Sequence, residues 1–306
     1  VKLLDVSRIV LLVFGIFFSS SVFAQTDVKE FGIAETTFEI DGESVHIFSN
    51  LESDQVDVKK LGKHLKKTRK ILLNFLNSGE NQYEYPLPSQ IRVIIFKNNN
   101  DYIAYLDKNK NTVGNMWKNR MAFYREADNS IYTYEISGEN ISYDSLYENI
   151  VHEYTHHLFY KIFATAYSEI IKLQGITRHE WIDEGICQFM AGQVLRKGKI
   201  ASNDIARIKR DFETNKKHPT ILEIIRMKQS STAQFYFYGS ALIHFLIKHE
   251  KKNQIIEILD LINHANPMYR GKIEEMRNEL IAEYGDHKLL DKAFHDYIDR
   301  LIKKNN

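Results

Sequence analysis

In the stretch Ile150-Val151-His152-Glu153-Tyr154-Thr155-His156-His157-Leu158, two histidines and a glutamate have the types and spacing for metal-assisted hydrolysis. His152 and His156 are four residues apart. On an α-helix that places both imidazoles on one face, one turn apart, where both can reach one cation. Glu153 stands beside them and can accept a proton from a water activated there. The spacing carries this meaning only on a helix, and the sequence predicts one. Leu146, Ile150, Val151, Tyr154, Leu158 and Phe159 recur at helical spacing, and no Gly or Pro interrupts Asp144 to Ala164. Ser145 followed by Glu148 is a capping-box pattern that would open the helix. Without a metal, the same pattern is a half-buried helix with two surface histidines.

Zinc in hydrolytic sites takes three protein ligands and keeps one position for water. Trp181-Ile182-Asp183-Glu184-Gly185 supplies the third candidate, Glu184, 28 positions after His156. That distance is enough to finish one helix, turn and return antiparallel. Thr177 and Glu180 form a second capping-box pattern, and Gly198 is placed to stop the second helix. Trp181 would anchor that helix in the core. Gly185 lacks a side chain and would let the two helices approach closely.

His-Glu-x-x-His followed by Trp-x-x-Glu-Gly resembles the gluzincin zinc metallopeptidases, and most closely their peptidase MA-like group of small exported members. The resemblance extends over most of the chain after its leader. It implies one zinc ion held by His152, His156 and Glu184, with Glu153 as general base. It also implies a tyrosine that donates to the oxyanion as charge grows on the attacked carbonyl. Tyr238, in Ala233-Gln234-Phe235-Tyr236-Phe237-Tyr238-Gly239-Ser240, is the first candidate and Tyr236 the second. The alternative for both is core packing in an aromatic cluster. One departure concerns the support of the ligands. Many gluzincins carry an acidic residue four positions after the ligand glutamate, and here that position is Gln188. Its amide oxygen can accept from an imidazole N–H but adds no charge; Asp183 is the other candidate for that support.

The elements that must position these residues follow from pattern. Thr36 to Ile40 and Ser44 to Phe48 alternate around Asp41-Gly42, a hairpin signal. An amphipathic helix spans about Val56 to Leu76. It buries Val58, Leu61, Leu65, Leu72, Phe75 and Leu76 and turns Lys59, Lys60, Lys63, Lys66, Lys67, Arg69 and Lys70 largely outward. Ile91 to Phe96 reads as a strand, and Asn98 to Asn100 introduce a short helix around Tyr102 to Leu106. Met121 to Tyr124 and Ser130 to Tyr134 form a strand pair around Asp128-Asn129. By the gluzincin resemblance, Ile131 to Tyr134 is the candidate edge strand for pairing with substrate backbone. Beyond Gly198 the pattern is nearly all helical, with helices at about 254–264, 272–284 and 289–303. The expected fold is α+β and zincin-like. An N-terminal mixed α/β lobe with an antiparallel-edged sheet (25–140) is followed by the active-site helix and a mostly helical C-terminal lobe (141–306).

Residues 1–24 read as a signal peptide: basic residues, an apolar run from Ile9 to Phe18, and Ser21-Val22-Phe23-Ala24 as a cleavage site. The run is short for a membrane span, so the expectation is a secreted or periplasmic protein with no stable membrane insertion. With a net charge of +1, the composition points to no nucleic-acid partner. The lone Cys187 builds no disulfide framework and reads as a small buried residue. The function expected is hydrolysis of peptide or protein substrates. Two alternatives stand beside it: a non-catalytic secreted binding module on a gluzincin fold, and an adhesion protein using the Lys59–Lys70 face.

Overall fold

The computed structural model describes residues 32–51, 56–79, 82–87, 89–109, 120–135, 144–174, 180–227, 234–263 and 268–305. The expected signal peptide and the Thr177/Glu180 capping box lie outside these residues. The described chain is α+β, with ten α-helices and one five-stranded mixed sheet among the described residues. None of those helices is long and apolar enough to cross a membrane. Contacts divide the chain into two compact units: residues 1–61 with 88–146, and residues 62–87 with 147–306. Most of the basic helix therefore groups with the C-terminal unit, where sequence order had assigned it to the N-terminal lobe.

The first unit holds the sheet. β1 (Ala34–Ile40) and β2 (Glu43–Ser49) pair antiparallel across Asp41-Gly42. Both turn residues have positive φ, 44° and 84°, as a two-residue type I′ hairpin turn requires. β3 (Ser89–Phe96) runs parallel to β2 and to β5 (Ser130–Tyr134), and β4 (Ala122–Arg125) closes the sheet antiparallel to β5. The order is β1-β2-β3-β5-β4, so both outer pairings are antiparallel.

Ile131 to Tyr134 is therefore not an edge. Its backbone groups face β3 on one side and β4 on the other. The edge beside it is the four-residue β4. Alternation of apolar residues reports burial of a face, and it carries no information on which neighbour lies alongside. The core of this unit is aromatic: Phe96, Tyr102, Tyr105, Phe123 and Tyr132 pack with Phe48 and Ile94. The helix that brings in Tyr102 and Tyr105, α2 (Asn99–Lys108), opens on Asn98, whose side chain accepts from the Asp101 N–H at 2.9 Å.

The second unit is helical. α1 (Val58–Leu76) enters it along most of its length, and α3 (Asp144–Gln174) and α4 (Glu180–Leu195) follow. Next come α5 (Ser202–Asn215), α6 (Ile221–Arg226), α7 (Gln234–Lys248), α8 (Lys252–Asn263), α9 (Tyr269–Tyr284) and α10 (His287–Asn305). α4 ends where expected. Lys197 and Gly198 turn left-handed at φ 55° and 81°, and the Gly198 N–H returns to the Gly192 carbonyl at 3.1 Å.

Candidate metal centre

α3 positions His152, Glu153 and His156, as the apolar periodicity required. Ile150, Val151, Tyr154 and Leu158 are fully buried, which fixes the rotation of the helix. The expected Ser145–Glu148 capping box lies partly outside the described residues; Glu148 accepts from Arg196 at 3.1 Å. α4 brings Asp183, Glu184 and Cys187 to the same place. The histidine Nε2 atoms converge on one carboxylate oxygen: His152 lies 2.9 Å and His156 3.3 Å from Glu184 Oε2. The two rings are 5.0 Å apart between centroids.

These separations can be set against a metal's demands. Donors bound tetrahedrally at about 2.0–2.1 Å stand roughly 3.3 Å from one another. The two separations from Glu184 Oε2, to His152 Nε2 and to His156 Nε2, are within a few tenths of an ångström of that edge, and these residues are mostly buried. The residues present fit a zinc ion with two nitrogens and one oxygen. Glu153 is buried on the same turn of α3, 9 % exposed.

The two histidines are supported differently. His156 Nδ1 faces Asp183 Oδ1 at 3.5 Å and Cys187 Sγ at 3.4 Å. A proton on Nδ1 then meets acceptors, which leaves the Nε2 lone pair turned toward Glu184. His152 Nδ1 is buried with no hydrogen-bond partner among the described residues. Gln188 therefore does not hold the first histidine, and Asp183 holds the second rather than the first. A glutamine four residues after Glu184 sits on the neighbouring turn, but half-exposed at the surface of α4.

Cys187 is the participant that sequence reading placed only in the core. The donor atoms of His152, His156 and Cys187 lie within 4.8 Å of one another. The signal was its spacing: Cys187 is three residues after Glu184 and four after Asp183, hence on their face of the helix.

The electrostatics are those of a tightly coupled cluster of histidines and acids. Burial disfavours a charged His156, yet the groups of Cys187, Asp183 and Glu184 outweigh it and hold its pKa well above the ordinary value. Burial likewise opposes a charged Glu184, and the nearby histidines reverse this and hold its carboxyl far below the usual range. Burial pushes the Cys187 thiol up to about 12. A further acid, Asp204 on α5, is pushed up to about 7 by burial and then by the charge of Glu148.

α4 is seated by a glycine contact, though not the one expected. A Cβ on Gly185 would lie 2.9 Å from the Gly239 carbonyl carbon and oxygen, and a Cβ on Gly239 would lie 2.7 Å from the Trp181 carbonyl oxygen. Gly185 thus lets α4 approach α7 rather than α3. This contact sets α7 against the centre and brings Tyr236 there, its ring 6.3 Å from that of His152. Tyr238 goes elsewhere. Its hydroxyl donates to Asp211 at 3.1 Å and meets His218 Nδ1 at 3.1 Å, and the side chain is fully buried. Residues two apart on a helix differ by about 200° in direction, so the two tyrosines cannot serve one site. The second candidate, not the first, is beside the histidines. His244 packs on Phe189 at 4.8 Å, its pKa lowered to about 4 by burial.

No protein-family model matches the chain, and none of the curated proteins does.

Proposed function

We propose that this chain is a single-zinc hydrolase of peptide bonds, with His152, His156 and Glu184 as the residues that hold the ion. The observation that carries the reading is the convergence of two imidazole nitrogens and one carboxylate oxygen on one point, beside a buried glutamate. A zinc ion there would supply Lewis acidity toward a carbonyl oxygen and acidify a water molecule. Glu153 takes the proton of the attacking water and delivers it to the departing amine nitrogen. Tyr236 donates to the carbonyl oxygen as negative charge grows on it. Asp183 and Cys187 fix the His156 ring. The Ile9–Phe18 run with Ser21–Ala24 supports export.

The test is mass-spectrometric profiling of a diverse peptide pool with the zinc-loaded protein, Glu153→Gln run in parallel, and zinc content measured for both. The expected result is one bound zinc in each and cuts from the wild type alone. Cuts by both proteins would remove Glu153 from its role. Bound zinc with no cuts by either would favour a binding module that uses the same metal site.

A further inference from the structure

The face of α1 turned away from the core has no part in the metal centre. Lys59, Lys60, Lys63, Lys66, Lys67 and Lys70 are all exposed. At about 100° per residue they fall within an arc of roughly 120°, along about 16 Å of helix. The opposite arc carries Leu61, Leu65, Thr68, Leu72 and Leu76, all fully buried. No Asp or Glu occurs anywhere in Val58–Leu76. Lys59, Lys63 and Lys70 pair with no carboxylate among the described residues. Lys67 reaches the Val194 carbonyl at 2.6 Å, near the C-terminus of α4.

From this we infer that α1 is a docking ridge for an anionic lipid surface, holding the protein at the membrane face without inserting. The charge is concentrated on one exposed strip of a single helix, which a diffusely negative surface complements along its length. Every cation on the strip is an ammonium, a point charge suited to a field of phosphates. A nucleic-acid face would call for guanidinium forks or aromatic platforms for bases. The one arginine of the helix, Arg69, is instead buried over the Tyr85 ring at 5.2 Å. No large apolar side chain is exposed on the strip, so attachment is electrostatic and is screened by salt.

The test is flotation of the full chain with vesicles of pure phosphatidylcholine, or of phosphatidylcholine mixed with phosphatidylglycerol, at low and high salt. Wild type should float with the anionic vesicles at low salt only. The triple variant Lys63→Glu/Lys66→Glu/Lys70→Glu should bind them at least roughly a hundredfold more weakly. The milder Lys63→Gln/Lys66→Gln/Lys70→Gln should lie between them, and circular dichroism should match wild type for both. Equal binding to neutral and anionic vesicles, or a charge-reversed variant that floats like wild type, would overturn the inference. Capture of duplex DNA in place of anionic vesicles would overturn it as well, and assign the ridge to nucleic acid.

Discussion

The second unit contains two polar clusters, each with histidine and carboxylate groups, arranged in opposite ways. In one, His152, His156 and Glu184 aim their polar atoms at a common point. In the other, the groups run in series: Asp299 to His218, His218 to Tyr238, Tyr238 to Asp211, and Asp211 to Gln234 and Asn215. The series joins α5, the turn before α6, α7 and α10, and each group is satisfied by its neighbours. Burial, then the charge of Asp211, keeps the Tyr238 hydroxyl protonated far above the ordinary phenol range. That suits a structural donor. Residue type alone does not make a site. A converging set leaves coordination capacity for an added cation, whereas a serial set consumes its own.

Exchanging the roles of the two clusters should fail, and that failure can be measured. The largest effect is expected from His152→Ala or Glu184→Ala. Either removes a ligand, so zinc content measured by elemental analysis should fall to background and peptide cleavage with it. A variant that retained stoichiometric zinc would break the convergent reading. Next, Tyr236→Phe should lower kcat by about a hundredfold or more, as loss of an oxyanion donor does, with zinc content unchanged. Tyr238→Phe should leave kcat near wild type. It should instead cost about 1–3 kcal/mol of stability in denaturant titration, because Asp211 loses a buried donor. A fall in kcat for Tyr238→Phe without loss of stability would reverse the assignment of the two tyrosines.

Smaller effects sharpen the asymmetry between the histidines. Asp183→Asn should weaken zinc binding by about 10–100-fold in competition with a chelator, the usual cost of removing an acceptor behind a ligand histidine. Gln188→Ala should change zinc affinity much less, since Gln188 makes no bond to His152. Gly185→Ala should destabilise the protein by about 1–3 kcal/mol, because its methyl meets the Gly239 backbone at 2.9 Å. Part of any loss in kcat there would report the displacement of Tyr236. An alanine variant as stable as wild type would show that the helices separate easily, and would remove the glycine contact as the device that places α7.

Much of this was legible in the chain itself, because short-range periodicity decides it. The His-x-x-x-His spacing on α3, the Asp41-Gly42 turn, the apolar and lysine arcs of α1 (Arg69, expected on the outward arc, is instead buried over Tyr85) and the stop at Gly198 each depend on a few neighbouring residues. Their φ/ψ preferences and apolar spacing have one good local solution. Glu184 was legible in the same way once a second helix was assigned. What the tertiary structure decided was which face meets which partner. Tyr236 and Tyr238 are equivalent in composition and context. Only the packing of Gly185 against Gly239 rotates α7 so that one meets His152 and the other Asp211. The same holds for Asp183, which supports His156 rather than His152, for Cys187 at the edge of the centre, and for β5, internal to the sheet where the family resemblance implied an edge. Local sequence sets the direction of a side chain relative to its own helix or strand, and long-range packing sets the orientation of that element in the protein.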